Sequence, residues 1–500
     1  MNPVVGYLAI AAVVVSTVLI GFFGLRISRT TGDFYVASRT VQPWWNASAI
    51  GGEYLSAASV LGIAGLILLR GEAALWFPIG YTAGYLMLLL FVAAPLRRSG
   101  AYTIPDFTQA RLESLAVRRV TSVLVIVIGW FYIVPQLQGA ALTVGIATGL
   151  PRWSGAVAVA VIVGVVVAAG GMRSITFVQA FQFWLKLTAL AIPVVVLLIA
   201  VRGGALPGEV ALPAEVAMPL PTTPGPADSY LTGSLLFALL LGTMGLPHVL
   251  VRFYTNPDGR AARRTTLIVL GLLSVFYVFP TMFGILGRFF APDLATSGEA
   301  DALVLLLPSR LLPGPVGDLL TALVIAGAFG AFLSTSSGLV VSLAGVVSQD
   351  LLGGSVRGFR LAAIGSALVP LAVALLTEPT GLAGSVGLVF AFTASTLCPA
   401  LLLGIWWRGL TARGAIAGMA TGALTCGGSI LVTPWIDAGM FAPFLAQPAA
   451  WTVPLALAVV IVVSRADRAR IPRGADRFLA RLHIPEPARE QPLHERGAAD

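Results

Sequence analysis

The sequence predicts an all-α integral membrane protein of about thirteen transmembrane helices. They form a five-plus-five inverted repeat in which the first helix of each repeat is broken. Three observations predict it. Hydrophobic residues make up 57% of the 500-residue chain, charged residues only 11%, and mean hydropathy is +0.91. No soluble domain needs that much apolar surface. Apolar windows of about 20 residues recur along the whole chain, leaving no room for a large soluble domain. Third, two apolar spans are interrupted near their middles. One reads Trp44-Trp45-Asn46-Ala47-Ser48-Ala49-Ile50-Gly51-Gly52-Glu53-Tyr54-Leu55-Ser56, the other Leu239-Leu240-Leu241-Gly242-Thr243-Met244-Gly245-Leu246-Pro247-His248. Non-helical backbone is tolerated in a bilayer only where protein encloses it or it lines a cavity. Paired interruptions in two halves of a chain point to a transporter binding site.

Hydropathy places the spans at 4–24, 45–69, 74–95, 120–148, 154–169, 174–201, 229–251, 265–287, 316–347, 359–376, 382–406, 414–433 and 450–464. Residues 1–44 read as an extra helix and a cytoplasmic loop, 45–201 as the first repeat, and 202–228 as an extracytoplasmic Pro-rich loop. The second repeat follows at 229–406, two more helices at 407–464, and a disordered cytoplasmic tail at 465–500. Because the two blocks begin on opposite sides of the membrane, they are expected to be inverted.

The net charge of +9 follows alternate spans. Arg26, Arg29 and Arg39 follow the first; Arg97, Arg98, Arg111, Arg118 and Arg119 the third; Arg252, Arg260, Arg263 and Arg264 the seventh. Arg465, Arg468, Arg470 and Arg473 follow the last. The positive-inside rule then puts the N-terminus outside and the C-terminus in the cytoplasm of a cell membrane. These arginines read as topology determinants, which excludes a nucleic-acid patch. The first span has no basic residue ahead of it and no small-residue cleavage site behind it, so it reads as an uncleaved anchor.

Cys398 and Cys426 lie in separate apolar spans and read as packing residues. Three histidines, two of them in the tail, do not make a metal cluster. No nucleophile–base or metal constellation stands at membrane depth, so no enzyme and no cofactor are expected. A receptor built on such a fold needs a signalling domain, for which the tail after Arg465 is expected to be too short.

Two ionisable residues lie deep in apolar spans, Glu53 and Lys186, the one lysine of the chain. Such residues are expected to pair or to face water. Lys186 follows Gln179 by nearly two turns, so both share a helix face. Lys186 is expected to neutralise Glu53, to draw an anion inward, or to carry a coupling proton. Ser334-Thr335-Ser336-Ser337, inside the ninth span, offers four hydroxyls that cannot all face lipid. They either supply hard oxygen ligands to a cation, as sodium prefers, or bond the carbonyls one turn back.

These residues carry a resemblance. Gly51-Gly52-Glu53-Tyr54-Leu55-Ser56-Ala57-Ala58-Ser59, Gly170-Gly171-Met172-Arg173-Ser174-Ile175-Thr176, Leu333-Ser334-Thr335-Ser336-Ser337-Gly338 and Trp406-Trp407-Arg408-Gly409-Leu410-Thr411-Ala412-Arg413-Gly414-Ala415 resemble motifs of the sodium:solute symporter family. The resemblance runs from about Thr31 to the last span and implies the leucine-transporter inverted-repeat fold. It implies a sodium site built from the hydroxyls of Ser334 and Thr335 and the carbonyls of Ala331, Gly52 and Leu55. Gly52 stands where relatives often have Ala, which a carbonyl ligand tolerates. Gln179 stands where many members have an acidic residue, and there, as at Gly242 to His248, the chain resembles the acetate and monocarboxylate branch.

The resemblance therefore implies a sodium-coupled symporter importing acetate, propionate or pyruvate. Proton coupling, or sodium symport of another small solute such as proline, is the alternative. The partners are the solute, the ion and the lipid bilayer, with no nucleic acid and no obligatory protein. A small carboxylate needs donors, and half-helix N-termini at the breaks supply amides. Tyr54, Gln136, Gln138 and Thr243 are the candidate side-chain donors. The two glutamines point to different faces, so one is expected to face the cavity, and either also suits an interhelical hydrogen bond. His248 reads as structural.

Overall fold

The computed structural model describes residues 3–25, 37, 40–203, 225–377, 381–436 and 438–485. The centre of the expected Pro-rich loop (204–224), most of the loop after the first helix, and residues 486–500 lie outside the described residues. The described secondary structure is entirely helical. The main helices are α1 (Pro3–Leu25), α2 (Pro43–Tyr54), α3 (Ile63–Arg70), α4 (Trp76–Phe91), α5 (Leu115–Thr148), α6 (Trp153–Arg202), α7 (Pro226–Thr243) and α8 (Pro247–Phe253). They continue as α9 (Gly259–Phe290), α10 (Pro315–Leu351), α11 (Val356–Leu376), α12 (Leu382–Trp406), α13 (Ala412–Val432), α14 (Ala449–Ala466) and α15 (Ala475–His483).

Among the described residues, 11 helical stretches are long and apolar enough to cross a membrane. The hydropathy reading expects thirteen, and the difference lies in two stretches. The 34 residues of Ala58–Phe91 form one stretch here, interrupted by a 3-10 turn at Gly71–Leu75. The 50 residues of α6 form another, broken at Gly171, whose φ of 58° and ψ of −158° are not helical. A continuous helix of that length would be about 75 Å long against a hydrocarbon core of about 30 Å. Only glycine takes such a conformation without strain.

Local sequence sets the ends of several elements. Ser114 accepts a hydrogen bond from the Val117 amide (3.4 Å) to start α5, and Asp258 accepts from Ala261 (2.7 Å) to start α9. Thr411, in the expected C-terminal motif, caps α13 by accepting from the Gly414 amide at 3.2 Å. Buried Arg111 donates to the carbonyls of Gly404 (2.9 Å), Trp407 (2.9 Å) and Arg408 (3.2 Å), satisfying the C-terminal end of α12. Arg111 is thus more than the topology charge expected of it.

The tail differs from its expectation too. It is not irregular throughout: α15 is a helix, and the apolar side chains Ala475 and Leu482 are buried. Arg98 donates to the Leu482 carbonyl (3.2 Å), the Gly474 amide to Glu113 (3.1 Å), and Arg408 to Asp476 (2.5 Å). The Arg408 hydrogen bond holds the Asp476 carboxyl below its ordinary range.

The core sits where α10 packs on α6 and α5, with α2 laid against α6. On the other side α7 packs between α12 and α4. This leaves the two broken helices, α2–α3 and α7–α8, meeting at the centre, where the Tyr54 hydroxyl lies 3.3 Å from Thr243 Oγ1.

Candidate functional site

The last helical bond of α2 runs from the Leu55 amide to the Gly51 carbonyl at 3.1 Å, and Leu55 then turns away with ψ of 88°. The chain regains helix through a single π turn at Ala58–Gly62. Such a break frees backbone groups that lipid cannot satisfy. Side chains of three other helices take them up. Lys186 Nζ, from α6, donates to the Leu55 carbonyl at 2.8 Å and to the Gly52 carbonyl. Thr335, from α10, donates to the Glu53 carbonyl at 2.6 Å. Gln136, from α5, accepts from the Ala57 amide at 2.8 Å.

Gly52 is required by proximity to α6. A Cβ there would stand 2.1 Å from the Gln179 carbonyl oxygen. The expectation that alanine is tolerated concerns only the carbonyl; in this chain the helix contact forbids it.

All five residues expected to hold sodium come together, and their oxygens are already engaged. The Ser334 hydroxyl accepts the third Lys186 hydrogen bond (2.9 Å) and donates to the Ala331 carbonyl (3.0 Å). With the Gly52 and Leu55 carbonyls on Lys186 and Thr335 on Glu53, no oxygen of the set is left without a partner. A buried ammonium stands among them, so the residues present do not fit a free sodium ion.

Lys186 does not pair with Glu53 as expected. The carboxylate instead takes Arg252 Nε at 2.6 Å, both side chains being buried. Arg252 also donates to Thr176 Oγ1 (2.8 Å) and to Gln179 Oε1, while Gln179 Nε2 donates to the Ser334 carbonyl (2.8 Å). Gln179 and Lys186 therefore do share a face, turned toward Ser334. Arg252 is the residue the sequence reading misplaced. It counts as one of four arginines after a span, yet it is fully buried, and Asn46 anchors its carbonyl at 3.2 Å.

The second break is neutral. The amides of Met244 and Gly245 bond the carbonyls of Leu241 (3.1 Å) and Gly242 (2.9 Å), and Leu246 leaves the helix with ψ of 117°. Thr243 Oγ1 donates to the Leu239 carbonyl at 2.6 Å, and the Tyr54 hydroxyl donates to the Tyr81 carbonyl at 3.0 Å. Around this pair stands a set of buried rings. Tyr54 meets Tyr85 edge-on at 4.7 Å, Tyr81 meets Phe390 at 5.1 Å, and Tyr132 meets His248 at 5.0 Å. The hydroxyls of Tyr81 and Tyr85 and both ring nitrogens of His248 are buried without a hydrogen-bond partner. Buried polar atoms are ordinarily paired, which makes these four candidate contacts for a solute.

The expected donors divide accordingly. Tyr54 and Thr243 meet between the breaks, and Gln136 braces the first one. Gln138 points elsewhere, donating to Thr377 Oγ1 at 3.2 Å. It lines a cavity of about 560 Å³ with Arg70, Arg152, Asp301 and Thr377. Burial raises the Asp301 carboxyl above its usual range, against a hydrogen bond from the Leu382 amide at 2.9 Å. Among the described residues no group of three or more His, Cys, Asp or Glu is placed to hold a metal. Cys398 and Cys426 are free and buried.

Comparison with known proteins agrees with this architecture. The fold is similar to that of a Na+-coupled sialic acid symporter in its substrate-bound outward-open state, with a TM-score of 0.68 at 14% identity, covering 92% of this chain and 97% of that one. It is also similar to Mhp1, a nucleobase-cation-symport-1 family transporter, with a TM-score of 0.54 at 15% identity, covering 90% and 98%. In sequence it is 31% identical to the uncharacterized symporter YwcA of Bacillus subtilis over 452 residues, 87% of each chain. It is 30% identical to the monocarboxylic acid transporter of Corynebacterium glutamicum over 475 residues, 87% of this chain and 85% of that one. Residues 34–422 match the family model of the sodium:solute symporters. A multi-pass helical membrane protein with two helices broken against each other, the chain belongs to the sodium:solute symporter family.

Proposed function

We propose that the chain imports a small monocarboxylate, such as acetate, propionate or pyruvate, by secondary active transport. A cation gradient drives it, and the cycle is one of alternating access. In this reading the chain crosses a cell membrane thirteen times as a five-plus-five inverted repeat, with its N-terminus outside and its C-terminus in the cytoplasm. The stretches broken at Gly71 and Gly171 each supply two of the thirteen passes.

One observation carries the substrate class. The buried charges at the first break are Glu53, Arg252 and Lys186, two cations and one anion, and they lie against a neutral cage that holds unpartnered donors. The surplus is a single positive charge in a low-dielectric interior, where it favours one carboxylate strongly. Thr243, Tyr54, Tyr85 and His248 supply neutral polar contacts at short range. The relationship to a monocarboxylic acid transporter supports the same class.

The test is uptake of labelled acetate into proteoliposomes under imposed gradients, with propionate, pyruvate and proline as competitors. Accumulation competed by the monocarboxylates and not by proline is expected. Absence of uptake under sodium, proton and voltage gradients alike would discard the substrate assignment.

A further inference from the structure

We infer that Lys186 is a tethered replacement for the coupling sodium ion, so that this transporter neither binds sodium at the first break nor depends on it. The inference rests on the transporter reading. Four observations carry it.

The first is donor and acceptor matching. An ammonium has three N–H donors and no acceptor. Lys186 Nζ has three partners: the Leu55 carbonyl at 2.8 Å, the Ser334 hydroxyl at 2.9 Å and the Gly52 carbonyl. Its hydrogen-bonding capacity is filled by three of the oxygens that a sodium ion would need.

The second is that the rest of the oxygen set is engaged. The Ala331 carbonyl accepts from Ser334 (3.0 Å), and Thr335 donates to the Glu53 carbonyl (2.6 Å). A sodium ion entering here would displace the ammonium or stand beside it, and like charges at that spacing repel strongly in a protein interior.

The third is mechanical. Gly52 and Leu55 flank the break, whereas Ser334 belongs to α10. A cation among these oxygens ties the broken helix to α10, and Lys186 does so as a permanent part of α6.

The fourth is residue choice. The chain has 31 basic residues of Lys and Arg, and lysine is used only at 186. Arginine's planar fork spreads its donors over five N–H groups, whereas the ammonium is a compact point charge, as a small metal ion is. The one position that takes lysine is the one that faces an ion-sized set of oxygens.

Sodium binding to the purified protein tests this without reference to the solute. Melting in detergent is followed as sodium replaces potassium at constant ionic strength, since a ligand that binds only the folded state raises the midpoint with its concentration. Wild type is expected to show no sodium-specific rise. Lys186→Ala, which removes the ammonium and opens space among the same oxygens, is expected to gain a saturable one. Lys186→Met fills the space without charge and is expected to gain none.

In proteoliposomes, wild-type acetate uptake is expected to change by less than about twofold between sodium and potassium, whereas coupled ligands ordinarily shift one another by about 5–150-fold. A saturable, sodium-specific stabilisation of wild type would overturn the inference. So would a folded Lys186→Ala protein that stays blind to sodium. Should acetate not be transported at all, the melting experiment still gives its answer, so failure of the solute assignment is told apart from failure of this one.

Discussion

At the first break, three charged side chains are buried together and every loosened backbone group named above is held by a side chain from another helix. At the second, the backbone closes on itself through tight turns, and the neighbours are rings and one threonine. The named backbone groups of the first break are thus all bonded, with Glu53 Oε1 its one carboxylate oxygen left without a partner, while around the second break the Tyr81 and Tyr85 hydroxyls and both His248 ring nitrogens have none. A bilayer interior forces the first arrangement wherever charge is present, because an unpaired ion there is expensive. The neutral side can leave a hydroxyl or an imidazole unpartnered at a cost of about 1–3 kcal/mol each. The difference teaches how the two breaks divide in the proposed transport cycle: the charged one ties helices together, and the neutral cage is the side proposed to meet the solute.

The largest expected effect comes from breaking the charged side. Arg252→Met leaves Glu53 buried and unpaired, a loss of about 3–5 kcal/mol. The melting midpoint in detergent should fall sharply and uptake disappear. Glu53→Gln combined with Arg252→Gln should recover part of the midpoint. An Arg252→Met protein that melts as wild type does would contradict the pairing as the structural element it is described to be.

Gly52→Ala comes next. Its Cβ would fall 2.1 Å from the Gln179 oxygen, so α2 must move away from α6, and overpacking of this kind costs about 1–3 kcal/mol. Gly271→Ala, inside α9 where nothing stands within 4 Å, is the matched control and should hold stability or raise it by up to about 1 kcal/mol.

On the neutral side the effect should fall on the solute and spare the fold. Tyr85→Phe removes a hydroxyl with no partner, so stability should hold or rise. If that hydroxyl meets a carboxylate, a bond of about 1.5–3 kcal/mol is lost and KM rises by about tenfold or more. An unchanged KM would remove Tyr85 from the solute site. The smallest effect is expected at Gln138→Ala, where the side chain faces Thr377 in the other cavity. Stability should fall by about 1 kcal/mol, the net worth of one hydrogen bond, and uptake should be near wild type.

Much of this was legible in the sequence because interruption of an apolar run is a strong signal. Gly51-Gly52-Glu53 and Gly242-Thr243-Met244-Gly245-Leu246-Pro247 mark the two breaks, and helical spacing alone puts Gln179 and Lys186 on one face. Arg252 was not legible. An arginine at the end of a span obeys the same charge rule whether it points to water or folds back to a carboxylate, and Glu53 is 199 positions away. The partnership of Lys186 was misread for a related reason, since opposite charges suggest a pair and periodicity says nothing about which cation arrives first. The two glutamines were separable in face but not in destination. The tail helix escaped because nine residues are too few for a periodic signal, although Phe478, Leu479 and Leu482 do recur at helical spacing.

That tail helix bears on how the protein is handled in the laboratory. Arg98 and Glu113, from the connection between α4 and α5, and Arg408, from the one between α12 and α13, all reach α15 or the glycine that precedes it. The Phe107 and Phe478 rings meet at 5.8 Å beneath it. A fluorescent reporter or affinity handle fused after Pro485 leaves this strap in place. A stop codon at Arg473 removes it, exposing Phe107 and freeing two connections at once, so truncations made to improve expression should end beyond His483.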